Sequence, residues 1–244
     1  MINLLEQWRG GLIVSCQARE NSPLAKPEII AAFAQTAEQN GAVGLRIDSP
    51  ANISAVKKCV KAPVLGIYKI VTDFNEVYIT PTFAAAKQIA AAGADILAID
   101  ATFRLRPNNE KLEDIAAQIR RELKIPLMAD VSTFEEGINA AENIGFDAVI
   151  TTLSGYTKET SHIIGPDFEL VKKLVKKLSI PVICEGRLSS ADDVRHAFDC
   201  GAFAVVVGGA ITGIDQLVTQ FVKATPQGRE YKSEKNQRQS NNQI

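Results

Sequence analysis

Residues 181–209 read PVICEGRLSSADDVRHAFDCGAFAVVVGG. The stretch opens and closes on short apolar runs, PVICEG and AVVVGG, that lack strict alternation. Runs of this kind fit parallel strands buried on both faces. Between them SADDVRHAFDCGA starts on a serine followed by acids, keeps helical spacing and stops at Gly201. Those are the signals of a capped helix returning to the next strand. Strand, helix, glycine and strand make one βα unit.

The unit recurs back to the start of the chain. GLIVSCQ (11–17), AVGLRI (42–47), VLGIYK (64–69), ILAIDAT (96–102), PLMADV (126–131) and AVITTL (148–153) bring the apolar runs to eight. Helical segments such as KPEIIAAFAQTAEQNG, TFAAAKQIAAAGAD, NEKLEDIAAQIRREL, TFEEGINAAENIGFD and FELVKKLVKKLS separate them, and Gly93, Gly145 and Gly201 each precede a strand. Eight such units predict one closed (β/α)8 TIM barrel, an α/β fold in a single domain over residues 1–225. A doubly wound open sheet would place its glycine-rich turn after the first strand, whereas the glycines of WRGGLIV precede it. MINLLEQWRGG reads as a short amphipathic helix covering one end of the domain, and residues 226–244 as a polar tail without period, expected to be disordered or loosely packed.

Composition narrows the function classes. Charged residues are 23% of the chain and the formal net charge is −1, so no nucleic-acid surface is expected. The apolar runs are of strand length, so no membrane span is expected, and the N-terminus lacks a signal-peptide core. Cys16, Cys59, Cys184 and Cys200 have no CxxC spacing and read as free thiols of a reducing cytoplasm. With two histidines, His162 and His196, the ligand clusters of a zinc site are missing, and His196 reads as structural or solvated.

Chemistry in such barrels sits at the C-terminal strand ends. Here those ends carry Gln17, Arg46, Lys69, Asp100 with Thr102, Asp130, Thr151 with Thr152, Glu185, and the pair Gly208–Gly209. The opposite ends carry Gly, Ala, Pro and Val. Asp100 and Asp130 could cap the following segments, and Arg46 could pair with either. Glu185 follows PVIC and precedes glycine, which aims it at the mouth. A lysine of lowered pKa facing a carboxyl group suits proton transfer, and equally Schiff-base chemistry. Gly186 and Arg187 after the seventh strand, with Gly208 and Gly209 after the eighth, suit phosphate recognition.

In chain order, GLIVSCQA, GAVGLRI, PVLGIYK, YITPT, AIDATFRLRP, LMADVST, TTLSGYT, CEGRLSS and VVVGGAIT resemble the N-acetylmannosamine-6-phosphate 2-epimerases of sialic acid breakdown. The resemblance runs to about Ala224. It implies an isomerase that interconverts N-acetyl-D-mannosamine 6-phosphate and N-acetyl-D-glucosamine 6-phosphate at C2, with no metal and no redox cofactor. It implies Lys69 and Glu185 as catalytic residues. Gln17, Arg46 and Asp130 fall on sugar-binding positions, and Gly186, Arg187, Gly208 and Gly209 on phosphate-binding ones. Thr152 joins them as a substrate contact at a strand end. One departure is Gly213, where many relatives carry an arginine after AIT. The expected partner is a small sugar phosphate, and a homodimer is the assembly considered. The rival readings are a Schiff-base aldolase using Lys69, a non-catalytic sugar-phosphate sensor, and other phosphate-binding barrels.

Overall fold

The computed structural model describes residues 4–72 and 75–228. Of the polar tail, 229–244 lies outside the described residues. Eight parallel strands close in sequence order into a barrel: β1 (Leu12–Cys16), β2 (Gly44–Asp48), β3 (Val64–Ile67), β4 (Ile96–Asp100), β5 (Leu127–Asp130), β6 (Ala148–Ile150), β7 (Val182–Glu185) and β8 (Ala204–Val207). Closure comes from the β8–β1 pairing, which sets Ile13 beside Val206.

Outside the strands lie α1 (Pro27–Gln39), α2 (Pro50–Val56), α3 (Phe83–Ala91), α4 (Leu112–Gln118), α5 (Phe134–Ile138), α6 (Phe168–Lys177), α7 (Ala191–Asp199), α8 (Gly209–Thr212) and α9 (Ile214–Ala224). The polar starts seen in the sequence are true caps. Thr82 and Asp167 accept from the backbone of Ala85 and Leu170, while Thr133 with Glu136 and Ser190 with Asp193 form capping boxes. Gly93, Gly145 and Gly201 all have positive φ, as a helix-ending left-handed residue requires. The segments of α4 and α5 run on into wider turns, Ile119–Leu123 and Asn139–Ile144. They widen because the left-handed Lys124 and Gly145 each donate five residues back, to Ile119 O and Ala140 O, closing the helix ends.

The strand pleat divides the core in two. Val14, Leu45, Ile47, Leu97, Ile99, Ala129, Val149, Cys184 and Val205 face outward into the layer under the helices. Ile13, Leu65, Ile67, Ile96, Ala98, Met128, Ile150, Ile183 and Val206 face inward and fill the lower barrel. A 3-10 turn, Leu4–Trp8, closes the bottom with fully buried Trp8 in that inner cluster. Positions two residues further along the inward faces are therefore the ones that reach the upper mouth.

The last helix departs from the expected repeat. No residue of α9 is buried; it packs mainly on α8, and Ile214, Val218, Phe221 and Val222 are 44–73% exposed. Among the described residues no helix is long and apolar enough to cross a membrane.

Candidate active site

The inward period-two faces deliver one set of side chains to one place. Arg46 lies on β2, Asp130 ends β5, Thr152 follows β6 and Glu185 ends β7. Arg46 is fully buried and holds Asp130 in a two-pronged pair: Nη1 to Oδ1 at 3.0 Å and Nη2 to Oδ2 at 2.6 Å. Its Nη1 also lies 3.1 Å from Glu185 Oε2. Arg46 thus takes the pairing role open to it in the sequence, with Asp130 as its partner. Burial opposes a charged guanidinium, but the facing Asp130 and Glu185 carboxylates outweigh it and raise its pKa further. Removing one partner of such a pair strands the other charge out of water. Asp130→Ala is expected to lower unfolding free energy by about 3–5 kcal/mol, measured by urea denaturation. A loss under about 1 kcal/mol would mean that Arg46 relaxes to another partner.

Thr152 is held between two acids. Its Oγ1 stands 2.6 Å from Asp130 Oδ1 and 2.9 Å from Glu185 Oε2. A hydroxyl has one hydrogen to donate. It can donate to only one of these oxygens at a time, so the two acids share it. Desolvation raises the Glu185 pKa, and Asp130 adds to the rise, while Arg46, the Thr152 hydrogen bond and Lys69 oppose it. Thr152, expected as a substrate contact, has its hydroxyl engaged in this network.

Lys69 follows β3 on the inward face of Leu65 and Ile67. Its Nζ donates to Gln17 Oε1, and Gln17 Nε2 donates to Ser15 Oγ at 2.7 Å. Water reaches Lys69 through the open mouth, yet the surrounding barrel wall desolvates its ammonium enough to lower its pKa. Asp48, Glu185 and Asp130 pull the pKa up, and Arg46 pushes it down. Asp48 and Ser15 join this group at the mouth. Both were legible as inward positions, since Asp48 lies two residues after Arg46 and Ser15 two before Gln17.

The glycine-rich ends meet at neighbouring strands β7 and β8. Gly186 has φ +118°, a backbone a side chain would strain, and α8 begins directly after Gly208. Arg187 takes the loop-holding option. Its guanidinium donates to Gly165 O at 2.9 Å and Ser154 O at 2.7 Å and lies 4.9 Å over the Tyr156 ring. The loop after β6 needs this because its turn carbonyls have no strand partner. Asp100 caps locally, accepting from the Thr102 backbone and hydroxyl and from Arg104.

Groups outside the mouth stay structural. Burial pushes the Cys16 and Cys184 thiols up to about 12, so they remain protonated. His196 meets Phe168 edge-on at 4.5 Å on the outer helices. No cluster of three metal-ligating side chains occurs among the described residues. Two surface clefts, one by Phe83 and Asp114 and one by Glu28 and Lys58, lie on the helical ring away from the mouth.

A closed barrel with a lysine of lowered pKa and a carboxyl of raised pKa in one mouth is a (β/α)8 enzyme equipped for acid–base chemistry. Comparison with known proteins narrows the class. Residues 30–227 match the family described as "Putative N-acetylmannosamine-6-phosphate epimerase". A protein of Thermosynechococcus vestitus named "Putative N-acetylmannosamine-6-phosphate 2-epimerase" is 50% identical over 223 residues, covering 91% of this chain and 96% of that one. A Clostridioides difficile protein of the same name is 43% identical over 221 residues, covering 91% and 98%. The solved N-acetylmannosamine-6-phosphate 2-epimerase of Clostridium perfringens superposes with a TM-score of 0.87 at 41% identity, covering 91% of this chain and 96% of that one. The chain belongs to the N-acetylmannosamine-6-phosphate epimerase family.

Proposed function

We propose that this chain interconverts N-acetyl-D-mannosamine 6-phosphate and N-acetyl-D-glucosamine 6-phosphate by inverting C2. The observation that carries the reading is that Lys69, of lowered pKa, and Glu185, of raised pKa, face one mouth in a chain of this family. The C2 hydrogen is acidic only beside a carbonyl, so the sugar ring opens first. Lys69, as a neutral amine, takes the C2 proton and leaves an enolate that bears the acetamido group at C2. It can still donate one hydrogen to Gln17 while its lone pair is free. Glu185 serves ring opening or proton return. Its Oε1 has no hydrogen-bond partner among the described residues and is the oxygen left for substrate. Arg46 and Asp130 hold Glu185 and present polar edges to the sugar. The catalytic unit is the barrel of residues 1–225, and the four unpaired cysteines fit a cytoplasmic setting.

A phosphate site at Gly186, Arg187, Gly208 and Gly209 is supported by the pairing of β7 with β8, which brings these two loop starts together. Arg187 also orders the adjoining loop, and Gly213 adds no side chain on the β8 side. Proton NMR of N-acetylmannosamine 6-phosphate with the enzyme in deuterated water tests the whole reading. Both epimers should form, with deuterium at C2. The phosphorylated sugar should be used far better than free N-acetylmannosamine. Equal kcat/KM for the two would remove the phosphate site. The aldolase reading is not favoured, since the named relatives carry the epimerase name; borohydride with substrate should leave Lys69 unlabelled.

For assembly we propose a homodimer in which the open apolar stripe of α9 packs on a second copy. Light scattering should give twice the chain mass, and Phe221→Glu should shift it toward one chain. A wild-type monomer at micromolar concentration would reject this arrangement.

A further inference from the structure

The proton transfer assigned above makes no use of Asp48, yet Asp48 occupies a particular place beside Lys69. Strand β2 ends at Asp48, opposite Ile67. The next residue, Ser49, turns to φ +78° and donates its N–H to Ile67 O at 2.9 Å, and Pro50 then begins α2. The β2 backbone has by then left the sheet, so it offers no carbonyl to the N–H of Lys69. The Asp48 side chain fills that position: Lys69 N–H donates to Asp48 Oδ1 at 2.9 Å.

The other flank is held by the segment 78–80. Tyr68 N–H donates to Thr80 Oγ1 at 3.0 Å, Thr80 N–H to Tyr68 O at 2.7 Å, and Ile70 N–H to Tyr78 O at 2.9 Å. The Lys69 backbone is thus clamped between a carboxylate and a short antiparallel bridge. The charged groups acting on the Lys69 ammonium are Asp48 and Arg46 from β2, Glu185 from β7 and Asp130 from β5. Asp48 has the largest effect of the four.

We propose that Asp48 is the positioning residue for Lys69: its carboxylate fixes the backbone from which the lysine enters the mouth, and its charge acts on the ammonium from there. This rests on the reading of Lys69 as the base at C2. Two functions then sit in one side chain, and two substitutions separate them. Asp48→Asn keeps an oxygen acceptor for the Lys69 N–H and removes the charge. Asp48→Ala removes both.

The test follows Lys69 in two ways. Isotope-labelled lysine allows the Lys69 side chain to be titrated by NMR, its signal identified by its loss in Lys69→Arg. The pH dependence of kcat/KM is recorded in parallel. Removing a neighbouring anion disfavours the ammonium, so Asp48→Asn should move the Lys69 titration to lower pH. The rising limb of the rate profile should move with it. Asp48→Ala should lose about tenfold or more in kcat relative to Asp48→Asn, with KM unchanged, because misplacing the base affects the chemical step. An unmoved Lys69 titration in Asp48→Asn overturns the proposal, whether or not Asp48→Ala folds. Equal kcat in the two variants overturns the anchoring part. If the titration moves while the rate profile stays, the positioning charge stands and the reading of Lys69 as base fails.

Discussion

Lys69→Ala is expected to lower kcat by about 10²–10⁴-fold, the range of a general acid–base group. The fold should survive. Lys69 reaches into an open mouth, so truncation leaves no sealed cavity, and its removal costs Gln17 a partner that water can replace. Binding of the sugar phosphate should persist through the glycine-lined strand ends. The decisive readout is exchange at C2 in deuterated water. If the lysine takes the C2 proton, deuterium incorporation must fall together with epimerisation. A variant that still exchanged C2 at the wild-type rate would show that another group is the base.

Glu185→Gln should be similarly damaging, about 10²–10⁴-fold in kcat, for a different reason. The amide keeps the shape and can still accept from Arg46, so the pair with Asp130 remains and stability changes little. What is lost is the ionisable proton of the carboxyl. Exchange at C2 without inversion would favour separate groups for removal and return; loss of both would assign Glu185 to ring opening. A near-normal rate would demote it to an orienting role.

The same two groups set the pH dependence. Lys69 must be neutral, so activity rises with pH through its titration, which desolvation lowers below that of an ordinary lysine. Glu185 must be protonated, so activity falls as pH rises through its titration, which desolvation raises above that of an ordinary glutamate. Both displacements broaden the population of the active form, and the limbs belong to the coupled network as a whole. Thr152→Val should move the Glu185 titration to higher pH, because the Thr152 hydrogen bond lowers the Glu185 pKa.

The order of residues alone was enough to specify the barrel. Eight apolar runs, capped helices and glycine stops are local signals, each decided by residues within a few positions, and their repetition admits a closed sheet. It also determined which strand ends are polar, and hence that Gln17, Arg46, Lys69, Asp130, Thr152 and Glu185 share a mouth. Only the tertiary structure decided what those residues do to one another. Arg46 lies 84 positions from Asp130, and no local pattern says that it takes Asp130 over Asp100. The capacity of Arg187 to reach phosphate or to hold a loop was open in CEGR. Its bonds to Ser154 and Gly165 show the loop contact alone, made through a loop whose path the sequence does not encode locally. The place of Asp48 emerged because β2 turns away one residue before Lys69 needs an acceptor. Strand patterns are set by short-range sterics and burial, whereas ion pairing and pKa depend on distances closed by the whole barrel.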